Sequence, residues 1–537
     1  MIIADECRTY MYRLEIFNDF KNCLYYFMYK YLNTPCTVLC TSIYIFVVLY
    51  YVQGRDDNMA SKQDYLNYII KQINTTPHIA KEFLKCNDGK FNHRIAFNNL
   101  KYSVDTFLDG FNENRLTIMP GLRGVGKSTL LFQTYEYLIA NGVDENRILY
   151  VPADELNTLN ESSLLELINV FVEDVHHKYP ATLKDELFIL IDESQEDDKW
   201  SQTAKILYDQ SKKIFMIFTG SNALDFELNL NTVRRTSFER IYPMNFQEYL
   251  NLKYGIPLIA IGNDIMDIFL TGDVESASEK ETEMMTLTSS LGKPLMKEFE
   301  YFLSYGGFPF NFNLDEIATH RRIFEVVRRV IEKDVRHHKS FNGNTQNVLF
   351  AILSFLATQK PGGISVNSLA KNMGTSRGNV IELLDILEKT HLIFHVDPYG
   401  GAGKMIRAPK KYYFLSPSIN AAINFTLGKH TPNNNDYLGI LAETLVASSF
   451  FRLNKTISKP NGIFTPTQKG MADFIVTTFE GDRIAVEVGI GKKGKSQVKK
   501  TMNKYNCQHG VVVSSATNLI EKEDEIIFLP LTTFSLM

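Results

Sequence analysis

"RLTIMPGLRGVGKSTLLFQTYEYLIANG" (Arg115–Gly142) decides the fold. A short apolar strand, Leu116–Met119, runs into Gly121 and, after four intervening residues, Gly126-Lys127-Ser128. An apolar helical pattern follows and ends near Gly142. Strand, glycine-rich loop and helix in that order make a phosphate cradle. Gly121, Gly124, Val125 and Gly126 allow successive backbone N–H groups to turn toward one anion. The helix N-terminus at Lys127, Ser128 and Thr129 adds its partial positive charge. Lys127 is expected to reach the β- and γ-phosphates, and Ser128 to donate its hydroxyl to Mg²⁺. The ligand implied is ATP with Mg²⁺.

A second half of that site follows in sequence. In "LFILIDESQ" the apolar run Leu187–Ile191 ends in Asp192-Glu193, as in a buried parallel strand with acids at its C-terminal end. Asp192 is expected to orient the Mg²⁺ hydration shell and Glu193 to polarise the attacking water. The next apolar strand, Ile214–Gly220, delivers Ser221 and Asn222, and a polar residue such as Asn222 can sense the γ-phosphate from there. Strands near Ile148–Val151 and Thr236–Tyr242 bring the count to five, alternating with helices. The fold class is therefore α/β, a doubly wound parallel sheet with its ligand at the strand C-termini. Arg234, Arg235 and Arg240 precede or begin the last strand, where surface charge is the ordinary fate of arginine.

The bulk properties set limits. At 537 residues the chain exceeds one core, and about three to four domains are expected. A net charge of -4 gives no global nucleic-acid signature, so any basic surface must be local. The six cysteines lack disulfide or metal spacing, which suits a reducing, cytoplasmic setting. From Tyr31 to Gly54 no charge occurs, and Cys36–Val52 is almost wholly apolar. Residues 33–54 are thus a borderline transmembrane candidate and would anchor the chain at a membrane. The alternative is that translation begins at Met59.

"GLRGVGKSTLL", "LFILIDESQ", "IFTGSNAL", "VRRTSFERIYPMNFQEYL", "YGGFPF" and "KKYYFLSP" occur in that order. Together they resemble the prokaryotic AAA-type P-loop ATPases that carry winged-helix and PD-(D/E)xK-like C-terminal domains, over about residues 85–537. The resemblance implies an N-terminal extension at 1–58, an ATPase core at 59–245, and a helical lid at 246–340. A winged helix at 341–420 and a nuclease-like domain at 421–537 complete it. It also implies a homo-oligomer in which Arg235, at the position of the family's short Ala-Gly-Arg motif, is an arginine finger. An acidic insert near Asp273–Thr286 departs from the family pattern.

In the winged-helix region, Leu369, Ala370 and Met373 form one inner face and Gly374-Thr375-Ser376 a turn. Val380, Leu383, Leu384 and Leu387 face inward from the next helix. A β-wing is expected to carry Lys404, Arg407, Lys410 and Lys411. Ser376, Arg377 and Asn379 open the recognition helix, but Glu382, Asp385 and Glu388 on it would repel phosphates. Farther on, Asp473 and Glu487 lie on two strands around a turn, and Glu443 lies on an earlier helix. The three acids are candidates for a second metal site. The lysine such nucleases carry two residues after the second acid is absent, because that position is Gly489. Glycines at 489, 491 and 494 suggest a mobile loop from which Lys492 or Lys493 would have to swing back. Six lysines between Lys492 and Lys504 make a local basic surface suited to phosphate backbones. A DNA-contacting or scaffold domain with weak or no cleavage is the expectation. Three functions compete: a switch or motor acting on nucleic acid, a regulatory ATPase gating a protein partner, and a membrane-tethered ATPase.

Overall fold

The computed structural model describes residues 60–537, apart from 87, 88, 91, 160, 161, 222–235, 336–342, 457–460 and 492. The apolar stretch at 33–54 lies outside the described residues. No described helix is long and apolar enough to cross a membrane. From Lys62 onward the chain is one compact unit.

Five parallel strands form the first sheet, in the order Ile148–Pro152, Leu187–Asp192, Ile214–Gly220, Leu116–Pro120 and Ser237–Phe238. Every residue of Leu187–Asp192 and Ile214–Gly220 is buried. Continuous apolar runs are required where helices cover both faces of a parallel sheet. Side chains three apart on a strand point to opposite faces, and the aromatic contacts follow that rule. Phe107 of the helix Ile95–Leu108 packs on Phe188 and Phe215, whereas Trp200 of the helix Trp200–Gln210 packs near Phe218. Each large apolar side chain so buried stabilises the fold by about 1.5–3 kcal/mol.

Helices Phe246–Tyr254, Gly262–Leu270, Glu275–Thr288, Leu295–Tyr305 and Glu316–Arg329 follow. The acidic insert is an integral part of this layer. Glu281, 3% exposed, accepts hydrogen bonds from Ile520 N (2.8 Å) and the Thr533 hydroxyl near the C-terminus.

Where a winged helix was expected, two helices follow one another, Val366–Asn372 and Arg377–Lys389, capped by the Ser365 and Ser376 side chains. Val380, Leu383, Leu384 and Leu387 are buried as the periodicity requires. The region expected to form a β-wing differs from that expectation. Its strands are Ile393–Pro398 and Lys411–Phe414, but its tip is the short helix Ala402–Arg407, which carries Lys404 and Arg407. Gly401 starts that helix, and the tip contributes no ladder pairing among the described residues.

That region also fails to stand alone. Strand Ile393–Pro398 pairs in parallel with Gly462–Thr465, so this strand and the C-terminal region share one eight-stranded mixed sheet. The boundary expected at 420 therefore falls inside a structure joined by backbone hydrogen bonds. Phe474–Thr477 and Arg483–Gly489 form the expected antiparallel hairpin, with Asp473 just before the first strand and Glu487 within the second.

One segment links the first sheet to the helical layer and the C-terminal region. Ile241 N donates to Pro120 O (2.9 Å), Pro243 O accepts from Arg452 (2.9 Å), and Met244 N donates to Gly307 O (2.8 Å). Phe246 N then donates to Ser535 O (3.2 Å), next to the C-terminus.

Candidate functional site

The loop between Leu116–Pro120 and the helix Lys127–Ala140 bends through two left-handed glycines, Gly124 (φ 78°) and Gly126 (φ 100°). A side chain there would be strained, and at Gly124 its Cβ would lie 2.7 Å from the Phe310 ring. Phe310, from the "YGGFPF" motif, thus packs against the loop. Lys127 is 4% exposed, and its ammonium donates to the carbonyls of Gly121 (2.8 Å) and Leu122 (3.1 Å).

Asp192 ends the adjacent strand but one, and the Ser128 side chain hydrogen-bonds to it. Thr219 also donates to Asp192, and Tyr150 OH approaches it at 3.3 Å. Burial pushes the Asp192 carboxyl up from its ordinary value, and the Ser128 and Thr219 hydroxyls oppose that shift. Burial acts likewise on Glu193, but Lys127 and Arg123, with Gln195 and Ser221, hold its carboxyl below the usual range. Glu193 is therefore an anion, as a proton acceptor must be.

Its backbone is unusual. Glu193 has φ 51° and ψ 45°, a left-handed conformation that costs a non-glycine residue about 1–2 kcal/mol. Such strain survives where neighbours fix it. Ser221 Oγ donates to its carboxylate at 2.7 Å and Gln195 Nε2 at 2.5 Å. The Gln195 amide oxygen and the Arg123 Nε are buried without a hydrogen-bond partner. Unmet cationic and polar groups beside a glycine-lined anion cradle fit a Mg²⁺-bearing polyphosphate. Arg123, Gln195 and Arg94 were not singled out in sequence. Gln195 had a signal in "DESQ"; Arg94 had none. Asn222, Arg234 and Arg235 lie outside the described residues.

The C-terminal acids come together as well. Glu443 accepts from Tyr413 OH (2.7 Å) and faces Lys411 (3.7 Å), while Asp473 accepts from Val488 N (2.8 Å). Glu487, 2% exposed, is met by Lys493 (3.2 Å) and Gln497 (3.3 Å). The expected swinging loop is corrected here. A Cβ at position 489 would overlap the Lys493 stem, so Lys493 lies across Gly489 in the space a side chain there would fill. Lys492 lies outside the described residues. Among the described residues no group of three or more His, Cys, Asp or Glu is arranged to hold a metal ion. Lys411 faces Glu443 and Lys493 meets Glu487.

Burial and the neighbouring Asp473 raise Glu443 to about 7, and the same two causes, opposed by Lys493, raise Glu487 to about 7. The native chain thus holds a proton on Glu487 that the unfolded chain has lost above the ordinary value of 4.5. The resulting stability is present at low pH and is lost as pH rises through about 7. Glu487→Gln is neutral throughout. Its melting temperature should match wild type near pH 5 and exceed it by a few degrees at pH 8. A difference independent of pH would refute a buried, proton-holding carboxyl.

A family of AAA domains matches residues 113–250, and a domain of unknown function (DUF8612) matches residues 296–431. The chain is 30% identical over 472 residues to the uncharacterized protein MJ1637 of Methanocaldococcus jannaschii, covering 88% of this chain and 94% of that one. An uncharacterized protein of Haemophilus influenzae is 25% identical over 326 residues, covering 59% and 70%. Among solved structures, the Walker-type ATPase PABY2304 of Pyrococcus abyssi aligns at TM-score 0.38 and 14% identity, covering 63% of this chain and 97% of that one. The Holliday junction branch migration motor RuvB of Thermotoga maritima aligns at TM-score 0.25 and 11% identity, covering 57% and 90%.

Proposed function

Because the chain belongs to the family of the Methanocaldococcus jannaschii protein MJ1637 and carries an AAA-type P-loop ATPase domain, we propose that it hydrolyses Mg²⁺-ATP to drive a nucleic-acid-acting switch or motor. The observation that carries this reading is the convergence of Lys127, Ser128, Asp192 and Glu193 at one end of the sheet.

In this reading the loop from Gly121 to Thr129 binds the phosphates, and Lys127 leaves the Gly121 and Leu122 carbonyls to meet them. Ser128 and Asp192 would hold Mg²⁺, which neutralises charge on the transferred phosphoryl group. Glu193 accepts a proton from the attacking water once Ser221 and Gln195 release its carboxylate. Asn222 senses the γ-phosphate, and Arg235 reaches the nucleotide of a neighbouring subunit in a homo-oligomer.

Support for nucleic acid comes from charge. No acidic residue occurs between Glu487 and Glu521, and the helix Ser496–Tyr505 exposes Lys499, Lys500 and Lys504. The winged helix at 341–420 and the PD-(D/E)xK-like region at 421–537 would be the contact modules. A second reading, a regulatory ATPase gating a protein partner, is favoured by the recognition helix. Its Glu382 and Asp385 are exposed, and Asp385 pairs with Lys389 of its own helix (2.7 Å).

Mg²⁺-ATP turnover by the full chain, with and without duplex or single-stranded DNA, separates the readings. DNA should stimulate turnover. Turnover indifferent to both would favour the protein-partner reading, and no turnover at all would remove the ATPase.

A further inference from the structure

Arg94 lies at the start of the helix Ile95–Leu108, far in sequence from the phosphate loop, yet its guanidinium is spent on that loop. It is 7% exposed. Nη1 donates to the Val125 carbonyl at 2.6 Å and Nη2 to the Tyr242 carbonyl at 3.0 Å. Nε and Nη2 also pair with Glu248 at 3.1 and 2.6 Å. Glu248 accepts from Ile95 N (3.0 Å) and completes the capping box of the helix Phe246–Tyr254.

The direction of the Val125 carbonyl matters because a peptide unit is planar and trans, and no cis bond occurs among the described residues. The carbonyl of Val125 and the N–H of Gly126 then point in opposite directions. A carbonyl held outward on Arg94 turns the Gly126 N–H inward. Gly126 has no side chain to resist either orientation, and its left-handed φ leaves the flipped peptide within reach. Something outside the loop must therefore choose. The aliphatic part of Arg94 also passes Gly126, with Cδ 4.0 Å from where a Cβ would stand.

We propose that Arg94 is the positioning residue of the phosphate cradle: it holds the Val125–Gly126 peptide so that its N–H faces a polyphosphate. This rests on the Mg²⁺-ATP reading given above. The alternative role is a buried ion pair with Glu248 that only stabilises the fold. The two differ in kinetics. A cradle N–H binds phosphate before and during reaction alike, so its loss raises KM more than it lowers kcat. A structural pair changes melting and leaves KM alone.

Arg94→Met by itself strands the buried Glu248 carboxylate, which risks unfolding. Arg94→Met combined with Glu248→Gln removes both charges and keeps an acceptor for Ile95 N. The full chain carrying the pair, Arg94→Lys, and wild type should be compared by melting, by Mg²⁺-ATP affinity, and by KM and kcat. The double variant should melt close to wild type, bind Mg²⁺-ATP at least tenfold more weakly, and keep kcat within about threefold. Arg94→Lys, which can still donate to Val125 O, should recover part of the KM. A folded double variant with wild-type affinity and KM would overturn the proposal and leave the ATPase reading intact. A wild-type chain that binds no nucleotide would bring down both.

Discussion

Glu193→Gln should leave Mg²⁺-ATP bound while hydrolysis falls by about 10²–10⁴-fold, the usual contribution of a positioned proton acceptor. Three features of the site lead to that split. Lys127, Ser128 and Asp192 are untouched, so the groups expected to bind phosphate and Mg²⁺ remain. Glutamine matches the shape of glutamate, and its amide can still meet Ser221 and Gln195, which now contact the carboxylate at 2.7 and 2.5 Å. What is lost is the negative charge that Lys127 and Arg123 maintain by holding the carboxyl below its usual range. Quench-flow single turnover gives the rate, and equilibrium binding of ATP gives the affinity. Hydrolysis at the wild-type rate would remove Glu193 from the chemistry. Loss of binding would mean instead that the left-handed Glu193 backbone holds the loop in shape, and that the strain there is structural.

The phosphate loop was legible because its chemistry is local. Spacing from Gly121 to Ser128 is set by the size of a phosphate, and the strand and helix on either side announce themselves by apolar pattern. Asp192 and Glu193 were legible for the same reason, at the end of a fully buried strand. Arg94 was not, since its partners Val125 and Glu248 stand 31 and 154 positions away and nothing in the residues around it marks the link. Lys493 was misread for a subtler cause. A lysine is usually sought two residues past the acid, on the same strand, yet a glycine at that point leaves room for a longer side chain from the next turn. The shared eight-stranded sheet was hidden because pairing of Ile393–Pro398 with Gly462–Thr465 depends on residues about 70 apart, which no local periodicity encodes.

Arg235→Ala should lower hydrolysis by about 10³-fold or more while sparing ATP affinity, as expected of an arginine that meets the γ-phosphate only across an assembled interface. Arg235 lies outside the described residues, but the strand it precedes does not. Ser237–Phe238 runs parallel to Leu116–Pro120, with Ser237 level with Thr117. The chain therefore enters this edge strand at the end of the sheet away from the phosphate loop, which begins after Pro120. The trans arrangement is what the resemblance to the AAA-type ATPases implies for Arg235. Subunit mixing tests the trans arrangement directly. Arg235→Ala keeps an intact pocket and lacks the donor; Lys127→Ala keeps the donor and lacks the pocket. Each alone should be nearly inactive, and a mixture that exchanges subunits should regain part of the activity, because Lys127→Ala subunits donate Arg235 to the intact pockets. Activity that stays at the level of the separate variants, in assemblies shown by mass to have exchanged, would place the arginine in cis or outside the reaction altogether.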